Sequence, residues 1–201
     1  NTKKETTLQL GVITGLEATT EGPIKKDNGS SYLVGYRYSL AGIAQSMGIN
    51  IGTTATPSYQ DLSFKLNSGT TKMGKFSLFG IYGTSTIALE SGGDKNSLYG
   101  NGNQADFSSK LGTIGLNHFK QINSKSYISS TIGLNYSKTD ITNYGFDRLT
   151  EVSFQRDISK TAKTGYNFST SYNSKINSRL FVKIGLDNQF LGLDLYSKNK
   201  Q

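Results

Sequence analysis

The sequence predicts an all-β fold, an antiparallel up-and-down meander of about eight strands. Three observations carry the prediction. Apolar residues return at every second position over long stretches, the period of a strand with one apolar face. Several of these stretches run past ten residues, whereas strands in globular domains average about five or six. The composition opposes helix: Gly, Ser, Thr and Asn supply 85 of the 201 residues, while 12 Tyr and 10 Phe favour strands.

The first alternating segment covers residues 6–24. Leu8, Leu10, Val12, Leu16, Ala18 and Ile24 share one face; Thr7, Gln9, Gly11, Gly15, Glu17, Thr19 and Glu21 share the other, and Ile13 breaks the pattern. Residues 30–38 place Tyr32, Val34, Tyr36 and Tyr38 together. Residues 58–67 give Leu62, Phe64 and Leu66 against Asp61, Ser63, Lys65 and Asn67. Residues 75–89 and 105–120 are read as strands with mixed alternation. Residues 126–138 align Ile128, Ile132, Leu134 and Tyr136, and residues 164–176 align Tyr166, Phe168, Tyr172 and Ile176. The last segment, 179–197, runs Leu180, Val182, Ile184, Leu186 and then changes parity to Leu191, Leu193, Leu195. That change predicts a bulge near Asn188 or a strand leaving its apolar surroundings. Short connections are expected at 25–29, 68–74, 121–125 and 177–178, and longer ones at 39–57, 90–104 and 139–150, with a short helix in LAGIAQSMGIN (40–50).

Alternation does not say what the apolar face meets: the core of a soluble sandwich, or lipid around a polar lumen. Long strands, connections of alternating length and tyrosines near strand ends (Tyr32, Tyr38, Tyr127, Tyr136, Tyr166, Tyr172, Tyr196) favour lipid. No apolar run approaches the roughly 18 residues of a spanning helix. Without cysteine there is neither a disulfide framework nor a thiolate metal site. Small residues on the expected lumen faces of 126–138 and 164–176 suit a wide lumen better than a closed eight-stranded barrel, whose interior side chains must fill. The chain ends in YSKNKQ rather than on an aromatic, and NTKKETT at its start is no signal peptide. The expectation is a partial outer-membrane barrel domain over residues 1–201, without plug or signal peptide.

The segments TTLQLGVITGLEATTEGPIKK (6–26), SSYLVGYRYS (30–39), INIGTTATPSYQDLSFKLN (49–67), GKFSLFGIYG (74–83) and TGYNFSTSYNSKINSRLFVKIGLDNQFLGLDLYSK (164–198) resemble Bacteroidota TonB-dependent outer-membrane receptors, in the barrel portion following the plug. The resemblance is strongest over 17–83 and weakest over 90–125 and 139–160, which are read as loop-dominated. It implies an arc of a barrel of about 22 strands, located in the cell outer membrane and taking up an unidentified nutrient. The implied partners are outer-membrane lipids, a plug domain, the TonB complex and a surface lipoprotein. The alternatives are a self-contained eight-stranded outer-membrane barrel with a structural or adhesive role, and a lipocalin-like soluble β-protein.

Individual residues add little chemistry. If the turn after residue 24 centres near Asp27, Glu17 falls opposite Arg37, and a cross-strand salt bridge fixing the register is expected. His118 is the only histidine, so neither a metal site nor a catalytic dyad is expected from it. Asp61 and Lys65 read as lumen lining. The Gly-rich ESGGDKNSLYGNGN (90–103) lacks the G-K-[ST] ending of a phosphate loop and reads as an exterior loop. The formal charge is +8, with lysines spread through turns and polar faces (Lys25, Lys26, Lys72, Lys75, Lys125, Lys138, Lys160, Lys163) rather than in one patch, so nucleic acid is not expected as a partner. Basic turns could meet anionic headgroups instead. No enzyme, no cofactor and no named catalytic, metal or ligand-binding residue is predicted.

Overall fold

The computed structural model describes residues 3–11, 15–47, 55–89, 104–147 and 152–199. They form β1 (Glu5–Gly11), β2 (Gly15–Lys25), β3 (Ser30–Tyr38), a short helix α1 (Ala41–Ser46), β4 (Ala55–Asn67), β5 (Lys75–Leu89), β6 (Gln104–Asn123), β7 (Ser126–Asp147), β8 (Val152–Lys175) and β9 (Phe181–Asn199). All nine strands belong to one antiparallel sheet in sequence order. Among the described residues, β1 and β9 are the sheet's two edges and do not pair with each other.

The all-β meander is as expected, and α1 falls within the stretch expected to hold a short helix. Ser39 anchors its start: the Ser39 hydroxyl donates to the Pro57 carbonyl and the Ser39 amide to the Tyr59 carbonyl. Three boundaries differ from expectation. Residues 6–24 make two strands, not one. Partners across β1 and β2 pair evens with evens, as in Leu8 with Ala18 and Leu10 with Leu16, so the period-2 pattern passes through the turn unchanged and hides it. Gly15 opens β2 with a φ of 79°, where a Cβ would collide with the Tyr38 carbonyl. Ile13, the residue that broke the alternation, lies outside the described residues.

The strand read over 105–120 is present as β6, against the loop-dominated reading of 90–125; the second difference is the long connection expected at 139–150, with the loop-dominated reading of 139–160. β6 occupies Gln104–Asn123, β7 continues to Asp147, and β8 begins at Val152, with pairs such as Thr142 with Ile158 and Asn143 with Asp157. Both faces are polar over most of this stretch, so hydropathy carries no period there; pairing with neighbouring strands makes it β. The third is the bulge near Asn188. The β8–β9 register runs without a shift from Asp157 opposite Asn199 to Lys175 opposite Phe181. The irregularities lie at Ile24, Ile122 and Asn143/Tyr144 instead.

Among the described residues no second layer covers this sheet. Ala41 is the one buried apolar residue among those described, while Leu8, Ile132, Ile184 and Phe190 are each more than half exposed. The backbone ladder, not a core, holds the strands together. Alternate residues sort into two faces. On one, an apolar band crosses every strand: Leu8 and Leu10; Leu16 and Ala18; 32–38; 62–66; 76–82; 112–116; 128–136; 166–172; 182–190.

The band is oblique. The register row from Gln9, the middle of the β1 band, passes through Glu17, Arg37, Asp61, Gly83, Leu111, Ser137 and Lys163 to Leu193, whereas the β9 band centres on Leu186. The drift is seven residues over eight strand-to-strand steps. At about 3.3 Å per residue and 4.8 Å per step this is roughly 23 Å over 38 Å, an angle of about 31°.

Candidate functional site

The molecule's two faces are its candidate interfaces. Along β7 the apolar band spans residues 128–136, roughly 26 Å of strand. Across nine strands the patch is on the order of 10³ Å², above the roughly 300–600 Å² of the largest patch on a typical soluble monomer. Polar groups inside it are satisfied locally: the hydroxyls of Ser130 and Thr170, opposite each other, lie 2.7 Å apart. Tyrosines border it. Tyr32 and Tyr172 lie towards the short-turn end, and Tyr36, Tyr38, Tyr82 and Tyr136 towards the other. Of the tyrosines expected at the rims, Tyr166 stands inside the band opposite Leu134, and Tyr127 is on the opposite face, tilted against Phe119 at 5.2 Å.

The second face is mainly polar, with small side chains over much of β6–β8, but it also carries Phe79, Ile81, Leu111 and Phe119 and, on β9, Leu191, Leu193 and Leu195. Thr113 donates to Asn135 Oδ1 at 2.9 Å, Thr131 to Asn117 Oδ1 at 2.8 Å, and Asn67 Nδ2 to Ser31 Oγ at 2.9 Å. Its charged centre is Arg37. Glu17 does sit opposite Arg37 in the β2–β3 register. The ion pair, however, forms on the other side: Arg37 Nε and an Nη both reach Asp61 Oδ2 at 2.8 Å, and the guanidinium lies 5.1 Å from the Tyr59 ring centroid. Asp61 dominates the electrostatics of Arg37, with Glu17 adding a weaker attraction. The β3–β4 register crosses residues 39–54, so sequence reasoning confined to short turns could not reach Asp61. The group borders a depression of about 300 Å³ with Gly83 and Leu111 on its far side. The pair is partly exposed, so it is worth about 0–1 kcal/mol; it sets register and charge more than stability.

His118 is structural. Its Nε2–H donates to the Met73 carbonyl at 2.8 Å and its ring stacks on Phe76 at 4.6 Å. Asp61 and Lys65 do share the polar face, with Lys65 between Leu33 and Phe79. The Gly-rich stretch, 90–103, lies outside the described residues. Among the described residues no group of three or more His, Cys, Asp or Glu could hold a metal ion. No described helix is long and apolar enough to cross a membrane, which says nothing about strands.

Past the band, β5–β9 continue as a polar extension. There Asp157 accepts from Asn143 Nδ2 at 2.6 Å and from Arg156 Nε at 3.0 Å. The Asn143 hydrogen bond, then Arg156, hold its carboxyl below the ordinary aspartate value. Tyr144 donates its hydroxyl to Asp106 Oδ2 at 3.0 Å, which raises the phenol above its usual value. Comparison of the chain with known protein families, curated proteins and solved structures finds no match.

Proposed function

We propose that this chain is an arc of a transmembrane β-barrel in an outer membrane, with the apolar band facing lipid and the Arg37–Asp61 face lining an aqueous lumen. The observation that carries the reading is the single band crossing all nine strands with no second layer over it among the described residues. Its obliquity supports the same reading. A band that is level in a membrane runs obliquely across tilted strands, and about 31° lies near the 35–45° tilt of transmembrane strands. In lipid every backbone group must be paired, so β1 and β9 each require a neighbouring strand. Small lumen residues suit a barrel wide enough for water or a plug. Together with the resemblance to TonB-dependent receptors, this makes the protein part of a nutrient transporter, energised through a plug and the TonB complex, with a surface lipoprotein as a possible further partner of that assembly.

The chain has no cysteine of its own, so single cysteines report cleanly. Thr131→Cys and Ile132→Cys, neighbours on opposite faces, are each labelled in vesicles with a membrane-impermeant maleimide. The reading requires labelling at 131 and protection at 132. Equal labelling at both positions, or a folded monomer in buffer without detergent, overturns it.

A further inference from the structure

The band's upper rim, on the side away from the short turns, is built differently from the rest. In one register row Tyr82 and Tyr136 flank Gly112 on the apolar face. With no side chain at 112, the sheet surface sinks between the two rings into a groove of about 390 Å³, lined also by Leu62, Ile114 and Leu134. That is within the range of small-molecule clefts, about 300–1,000 Å³. At Gly80 the sheet closes over itself, because the Phe64 ring covers the glycine. At Gly112 a Cβ would meet only Tyr82 Cδ2, at 3.3 Å, among the described residues.

The next row along the same face sets Lys110 opposite Lys138. Like charges in directly opposed positions destabilise a strand pair, and these two stand one row beyond the Tyr82–Gly112–Tyr136 row, on the side away from the short turns. Lys138 is paired with Asp140 at 2.9 Å, and Lys160 lies opposite Asp140 and 6.0 Å from the Tyr196 ring. Lys110 has no ion pair among the described residues. Asp194 ends the Lys110–Lys138 row, beyond Ala162, so three lysines stand against two carboxylates and the rim keeps one net positive charge, next to the apolar slot.

We propose that this site binds a single anionic phospholipid, its acyl chain lying in the Gly112 groove and its phosphate held between Lys110 and Lys138. The pairing of a slot with two opposed cations matches an amphiphile with an anionic head, and charge complementarity selects it over a zwitterionic neighbour. The proposal rests on the apolar band facing lipid, and its test separates the two.

The protein contains no tryptophan, so Ile114→Trp places one emitter beside the groove. The protein is reconstituted into vesicles of phosphatidylcholine doped with acyl-brominated phosphatidylcholine or acyl-brominated phosphatidylglycerol. Quenching by both, stronger by the glycerol lipid, is expected. Lys110→Gln and Lys138→Gln should each reduce the preference about fivefold at low salt, from about 1 kcal/mol per lysine at a membrane surface. Gly112→Leu, with both lysines kept, should lower it by filling the slot. Lys163→Gln, on the opposite face, should leave it unchanged. Quenching by both lipids to the same extent, or a preference indifferent to the two lysines or to Gly112→Leu, overturns the lipid site while the membrane reading stands. Absence of quenching by either lipid overturns both.

Discussion

A lysine placed at residue 132 tests the two-faced reading by magnitude. Ile132 stands in the middle of the β7 band, 57% exposed, between Leu116 and Phe168. A lysine on the lipid face at the membrane midplane costs about 2–4 kcal/mol. At residue 131 the same lysine points to the polar face. It forfeits the Thr131 hydroxyl bond to Asn117, worth about 1 kcal/mol, but its ammonium stays in water. Ile132→Lys should therefore exceed Thr131→Lys by about 1–3 kcal/mol. The assay is reversible urea titration of the protein folded into vesicles, followed by far-UV dichroism and gel mobility with and without heating. Equal costs, or a larger cost at 131, would refute the assignment of faces. The comparison is internal: the two substitutions share a strand and a neighbouring ladder, so loss of β-propensity nearly cancels.

Two further outcomes follow from the polar face and the extension. A double-mutant cycle on Arg37→Ala and Asp61→Ala should give a coupling of about 0.2–1 kcal/mol, larger than the cycle pairing Arg37 with Glu17; the reverse order would contradict the geometry. For Asp157, whose folded pKa is depressed, the sign is definite. Its contribution is fully present above the unfolded value of about 3.9 and fades as pH falls through the lower folded value. Amide hydrogen exchange around Asn143 should therefore quicken only in strong acid, and Asp157→Asn should remove that step; an onset above the ordinary aspartate range would count against it.

Local pattern reached much of this molecule. Strand character, the apolar membership of each face, the helix in the β3–β4 connection and the register of Glu17 against Arg37 all follow from period-2 alternation and a short turn. The pattern failed where it had nothing to measure. The chain reversal between β1 and β2 pairs evens with evens and left the parity intact, and the polar extension of β7 and β8 had no hydrophobic period.

Other features needed the sheet itself. Asp61 meets Arg37, and Lys110 meets Lys138 above Gly112, through registers set across connections or by long ladders rather than by nearby sequence. The obliquity of the band likewise exists only once nine strands share one register. Alternation is a property of a single strand, whereas tilt, facing charges and grooves are relations between strands, fixed by the hydrogen bonds that join them.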